Sequence, residues 1–155
     1  TSTTIPTGGY LPNAVGYLKS SPNGKKIAIV HMSSRLTNDL GPKGGIVRNT
    51  GKVLLYDFDS STGLVSNPLS LLSAANPYGI EFSSKSKKIY VTTNNYNNEG
   101  ITEGSSLFQF NLESSNITSS KILIKKNDFV AGALQLAIDE KIYRSGYKIF
   151  SDPLM

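Results

Sequence analysis

Apolar and polar residues alternate with a period of two in short runs along the chain, and clusters of Ser, Asn, Asp, Gly and Lys separate the runs. Such alternation sends successive side chains to opposite faces of an extended backbone, so each run predicts a β-strand with one face turned to a core. In Leu54-Leu55-Tyr56-Asp57-Phe58-Asp59, Tyr56 and Phe58 share one face, and Asp57 and Asp59 share the other. Asp59 at the entry of the following turn and Gly63 at its exit fit a side-chain-capped turn closed by a residue with positive φ.

The runs recur. Leu18-Lys19-Ser20-Ser21-Pro22-Asn23-Gly24-Lys25-Lys26-Ile27-Ala28-Ile29-Val30 returns without a gap as Ile80-Glu81-Phe82-Ser83-Ser84-Lys85-Ser86-Lys87-Lys88-Ile89-Tyr90-Val91-Thr92, offset by 62 residues. A third copy, Leu134-Gln135-Leu136-Ala137-Ile138-Asp139-Glu140-Lys141-Ile142-Tyr143, lies a further 54 residues on, with one residue fewer in its turn. Each copy is strand, polar turn, strand: a hairpin. Between the copies a second hairpin repeats. Its first example runs from Leu54 through the turn at Asp59-Ser60-Ser61-Thr62-Gly63 into Leu64-Val65-Ser66-Asn67-Pro68-Leu69. Its second runs from Leu107 through Glu113-Ser114-Ser115-Asn116 into Ile117-Thr118-Ser119-Ser120-Lys121-Ile122.

Two hairpins per repeat make four strands, and four-stranded sheets repeated in sequence are the blades of a β-propeller. A β-sandwich also has many short strands, but it does not explain why the same two hairpins recur in the same order. The fold class expected is therefore all-β: a partial β-propeller over residues 1–155, with repeats at about 14–72, 77–125 and 131–150. That is about two and a half four-stranded antiparallel blades. Closed propellers need about 4–8 blades, so the expectation is a segment of a longer polypeptide, with its remaining blades or a protein partner covering the open ends. The first residue, Thr1, agrees with a processed chain or a piece. Tyr147-Lys148-Ile149-Phe150 could supply one more strand. Inner faces are expected to carry Ile27, Ile29, Leu55, Ile89, Val91, Phe108 and Phe110.

Composition narrows the chemistry. Of 155 residues, 21 are Ser, 11 Thr and 13 Asn, with 14 Gly and 7 Pro, material for turns between short strands and poor material for long helices. Cysteine is absent, which removes disulfide frameworks, thiolate zinc sites and thiol nucleophiles. No run approaches the ~18 apolar residues of a membrane span, and residues 1–10 do not have the form of a signal peptide. The net charge of +5 is dispersed over the doublets Lys25-Lys26, Lys87-Lys88 and Lys125-Lys126. Each lies beside a strand-like run, as solvated strand ends or guarded edges do, and no clustered basic stripe suggests a nucleic-acid partner.

Two connections, over residues 32–51 and 94–105, exceed what blade geometry requires. Both join second to third strands, so both are expected on one face, where propellers usually place binding functions. The first holds Arg35, Asp39, Lys43-Gly44-Gly45, Arg48 and Asn49. It lacks the spacing of a phosphate loop. In the second, Asn95-Tyr96-Asn97-Asn98-Glu99-Gly100 has the opening of an oxygen-rich calcium loop but too few carboxylates. Ser106 stands at its twelfth position, so a solvated Asn-rich turn is the expectation. His31 is the only histidine, so no His-based metal cluster can form, and no G-x-S-x-G elbow accompanies the serines. No catalytic, cofactor or metal residues are expected. An enzyme reading, of the propeller lactonase or lyase kind, would rest on Lys19, Glu81 and Gln135, equivalent positions of the first strand of each repeat. Such positions must face somewhere in any propeller, and that plain reading is preferred.

Gly16-Tyr17-Leu18-Lys19-Ser20-Ser21-Pro22-Asn23-Gly24-Lys25-Lys26 resembles a "GYLKFSPDGKK" phrase. The stretch from Leu55-Tyr56-Asp57-Phe58-Asp59 through Val65-Ser66-Asn67-Pro68 resembles "LYDFDxxTGxVSNP". Tyr78-Gly79-Ile80-Glu81-Phe82-Ser83 and Gly132-Ala133-Leu134-Gln135-Leu136-Ala137 resemble "YGxEFS" and "GALQLA". Over roughly residues 14–145 the chain is thus similar to the propeller region of large secreted surface proteins of the Bacteroidetes. Those proteins commonly end in a gliding-motility-associated, type B sorting domain read by the type IX secretion system. The resemblance implies a seven-bladed-type propeller, a secreted, cell-surface location and a non-enzymatic adhesive, protein-binding or scaffolding role, and it carries over no site residues. Ser20 departs from it where an aromatic is usual. Ser84-Lys85-Ser86 and Asp139-Glu140 depart where a Pro-Asn-Gly type of turn is usual.

Overall fold

The computed structural model describes residues 16–32, 50–97 and 102–148, and in them the protein is all-β. Ten strands follow in order: β1 (Gly16–Ser20), β2 (Lys26–His31), β3 (Gly51–Asp59), β4 (Leu64–Ala75), β5 (Pro77–Phe82), β6 (Lys88–Tyr96), β7 (Thr102–Asn111), β8 (Ile122–Asn127), β9 (Phe129–Leu136) and β10 (Ile142–Lys148). They form two four-stranded antiparallel meanders, β1-β2-β3-β4 and β5-β6-β7-β8, and a two-stranded sheet, β9-β10. Among the described residues no sheet closes on itself. The repeat seen in the sequence is the repeat in the ladder: Leu18 pairs with Ile29, Ile80 with Val91, and Leu134 with Arg144.

The first-hairpin turns agree bond for bond. Ser21 N–H donates to Lys26 O, and Gly24 N–H returns to Ser21 O. Ser83, Lys88 and Ser86 reproduce this, as do Ala137, Lys141 and Glu140 with one residue fewer. The hydroxyls of Ser21 and Ser83 each accept two backbone N–H groups from the following Lys pair. All three turns need positive φ at one place, held by Gly24 (68°), Ser86 (56°) and Glu140 (62°). The departures from the Pro-Asn-Gly type therefore preserve the turn while placing a Cβ in the left-handed region. At the second-hairpin turn, Gly63 (φ 75°) donates to Asp59 O, as expected. Its counterpart differs from expectation. Ile117 to Ser120 does not begin a strand; Thr118–Ser120 is a 3-10 turn, and β8 starts only at Ile122. The Ser120 hydroxyl accepts Asn111 N–H and so draws that turn closed.

The sheets pack in sequence order. Ala28, Val30, Val53, Leu55 and Leu71 of the first meet Ile80, Phe82, Ile89, Val91 and Phe110 of the second in one buried core. Each of these side chains other than Ala28 contributes roughly 1.5–3 kcal/mol. The opposite face of the first sheet buries Ile27, Ile29, Leu54 and Tyr56, with Phe58 packed against them, so Tyr56 and Phe58 do share a face. Of the expected inner-face residues only Phe108 is half-buried; the rest are buried. Exposed apolar side chains include Leu18 of β1, Leu64 of β4, Ile138 in the β9–β10 turn, Ile122, Leu123 and Ile124 of edge strand β8, and Tyr143 and Tyr147 of β10.

Candidate functional site

The first strand of each sheet carries the site, because these strands approach one another most closely. Gly79 on β5 has no room for a side chain: a Cβ there would lie 2.6 Å from Gly132 O and 2.9 Å from Leu134 N, both on β9. Thr92 and Asn94, neighbours on one face of β6, bind the second sheet to the third. Thr92 Oγ1 accepts Gly79 N–H at 2.8 Å and donates to Gly132 O at 3.3 Å. Asn94 Oδ1 accepts Ala131 N–H at 2.9 Å. Both side chains are buried, and each satisfies backbone groups that would otherwise go unpaired at the interface. Sequence reasoning placed Asn94 in a loop. The available signal was the substitution of Thr92 and Asn94 for Val30 and Met32, their counterparts in the first repeat.

Lys19 (β1), Glu81 (β5) and Gln135 (β9) are brought together. Lys19 Nζ donates to Glu81 Oε2 at 2.9 Å and to Gln135 Oε1 at 2.8 Å. Glu81 is 4% exposed. Its Oε2 also accepts Leu136 N–H at 3.0 Å, and its Oε1 accepts Phe82 N–H at 3.0 Å. Gln135 Nε2 donates to Leu136 O at 2.9 Å. Equivalent residues of three sheets thus form one network. The carboxylate that an enzyme would use as base or nucleophile is instead engaged by an ammonium and two main-chain amides.

The structure disperses the other candidates. His31, at the end of β2, lies opposite Lys52 in the ladder, and its Nε2 is buried without a hydrogen-bond partner among the described residues. Burial first, then the Lys52 charge, lowers its pKa from the ordinary value. The connection at 94–105 is shorter than expected: Asn94, Asn95 and Tyr96 pair with Ser105, Gly104 and Thr102, so the proposed Asn-rich turn begins as strand. The Asn95 amide bonds Ser106 Oγ at 3.2 Å. Residues 98–101 lie outside the described residues, as do 33–49 with Arg35, Asp39, Lys43, Gly44, Gly45, Arg48 and Asn49. Among the described residues no group of three His, Asp or Glu could hold a metal ion, and no helix is long and apolar enough to cross a membrane. Tyr147 and Lys148 prolong β10 against Val130 and Phe129 and do not form a separate strand.

Neither a scan against protein-family models nor a search of curated proteins finds a match to this chain.

Proposed function

We propose that the protein is part of a β-propeller that serves an exported, cell-surface polypeptide as a non-catalytic adhesive, protein-binding or scaffolding module. The bond from Lys19 to Gln135 carries the propeller reading. Sheets stacked in parallel lie ~10 Å apart, so the first and third would be roughly 20 Å apart. A Lys–Gln contact of 2.8 Å across the second sheet instead supports three first strands drawn together, as the inner strands of blades are around an axis. The turns support it. Asn23 N–H donates to Ser86 Oγ, and the Ser84 hydroxyl donates to Glu140, so the three first-hairpin turns meet along one rim. β2 and β6 end, and β3 and β7 begin, at the opposite rim, where propellers usually place binding functions.

The non-catalytic reading is supported by the engaged Glu81 carboxylate, at the position where a propeller lactonase or lyase would need reactive groups. The exported location, secretion by the type IX system and the adhesive role rest on the resemblance of the repeat phrases. Completion of β9-β10 by two further strands follows from the repeat: both preceding sheets have four. Two measurements on the intact polypeptide in its source cells and in purified form test the proposal. A ring of four-stranded sheets with first strands around the axis, and antibody labelling of intact cells, are expected. Sheets facing each other as a sandwich, or labelling only after permeabilisation, would refute it.

A further inference from the structure

We propose that the cavity between the second and third sheets binds a small monocarboxylate with an apolar body, held by Arg144. The cavity measures about 310 Å³, and Tyr90, Leu107, Leu134 and Ile142 supply apolar walls. Arg144 lines it from β10, its guanidinium 4.5 Å over the Phe129 ring. Its Nη1 is buried and has no hydrogen-bond partner among the described residues.

The repeat makes this arginine anomalous. Arg144 occupies the ladder position of Val91 and Ile29, opposite Leu134 where those lie opposite Ile80 and Leu18. In the first two sheets that position is aliphatic and buried. Arg144 as a whole is half-buried, but a guanidinium nitrogen that loses water there without gaining an acceptor is costly. Burial also lowers the Arg144 pKa from its ordinary value.

A carboxylate is the matching acceptor, since its two oxygens meet the planar fork of a guanidinium. The volume and the apolar walls suit a ligand body of six to ten heavy atoms, on the order of benzoate or hexanoate. Glu140 lines the same cavity, but its Oε2 accepts from the Ser84 hydroxyl at 3.2 Å, and Arg144 forms no ion pair among the described residues. The Glu140 charge opposes every anion in the cavity, and a multiply charged one such as phosphate more strongly than a monocarboxylate. Every residue used lies within the two packed sheets as described.

Ligand-observed saturation-transfer NMR on the intact polypeptide, with benzoate as probe, tests it. Saturable benzoate binding is expected, about tenfold or more tighter than benzyl alcohol or inorganic phosphate. Arg144→Met should abolish it. Arg144→Lys, which keeps the charge and loses the fork, should weaken it about tenfold with an unchanged circular dichroism spectrum. Lys148→Met, removing an exposed cation of the same strand, should leave it intact. Benzoate affinity unchanged in either Arg144 variant, equal affinity for benzyl alcohol, or no saturable binding would each overturn the proposal.

Discussion

Lys19 Nζ lies 2.8 Å from Gln135 Oε1, although β1 and β9 belong to sheets separated by a third. The same ammonium meets Glu81 of the intervening sheet at 2.9 Å, so one cation ties three sheets at their first strands. Because Glu81 is buried and also accepts two main-chain amides, removing it leaves three donors without their acceptor. Glu81→Ala is expected to destabilise the protein by about 3 kcal/mol. Lys19→Met leaves the buried Glu81 carboxylate with its two amides but no counter-charge and is expected to cost about 2 kcal/mol. Urea unfolding of both single variants and the double variant measures the coupling; additive effects would show that the pair does not act as a clasp.

Gly79→Ala places a methyl group against the main chain of β9, which has no side-chain freedom with which to yield. A loss of about 1–3 kcal/mol is expected, with separation of the second and third sheets. Faster amide hydrogen exchange at Ala131 and Leu134 would report that separation directly.

Gly24 and Glu140 occupy equivalent positions with φ of 68° and 62°. A Cβ on Gly24 would meet nothing nearer than the Ser60 hydroxyl at 3.4 Å, so Gly24→Ala tests the backbone alone. It should cost about 1 kcal/mol, while Glu140→Gly should gain about 0.5–1 kcal/mol. Opposite shifts in thermal midpoint are the expected readout.

The Asp59 carboxylate accepts the Ser61 hydroxyl at 2.6 Å, Ser61 N–H at 2.9 Å and the Thr62 hydroxyl at 2.9 Å. The Ser61 bonds, then Thr62, hold its pKa at about 2, below the ordinary carboxylate value. A pKa depressed in the folded state stabilises at pH values above the unfolded pKa, and that contribution disappears as pH falls from about 4 through 2. Asp59→Asn should therefore melt below the parent protein at pH 6, and the difference should narrow towards pH 2. A pH-independent difference would contradict the mechanism.

Exposed apolar strands predict self-association. Ile122, Leu123 and Ile124 sit on the unpaired edge β8, and Tyr143 and Tyr147 are 56% and 65% exposed on β10. Residues 1–155 alone are expected to aggregate or fold only in part, seen as concentration-dependent light scattering and a broad thermal transition. Leu123→Thr with Ile124→Lys should reduce the scattering. A monodisperse monomer with a cooperative melt would refute the expectation.

Strand order, the two kinds of hairpin and the turn at Asp59–Gly63 were legible in the sequence because all three are local. Alternation with period two and capped turns are decided by residues within a few positions of one another. The equivalence of Lys19, Glu81 and Gln135 was legible for the same reason, as a matter of counting along repeats. The start of β8 was not. Ile117 has the look of a strand residue, yet the Asn111–Ser120 bond and the packing of Ile117 onto the core favour a 3-10 turn.

By itself, then, the sequence determined that this chain makes repeated antiparallel hairpins, since side-chain period and turn chemistry act over short range. Only the tertiary structure decided what the repeated positions do. It turned Lys19, Glu81 and Gln135 into a three-sheet clasp, drew Thr92 and Asn94 into the main chain of a neighbouring sheet, and left Arg144 Nη1 in a cavity without an acceptor among the described residues. These outcomes depend on distances between sheets, and no periodicity along one strand encodes how closely the next sheet will lie.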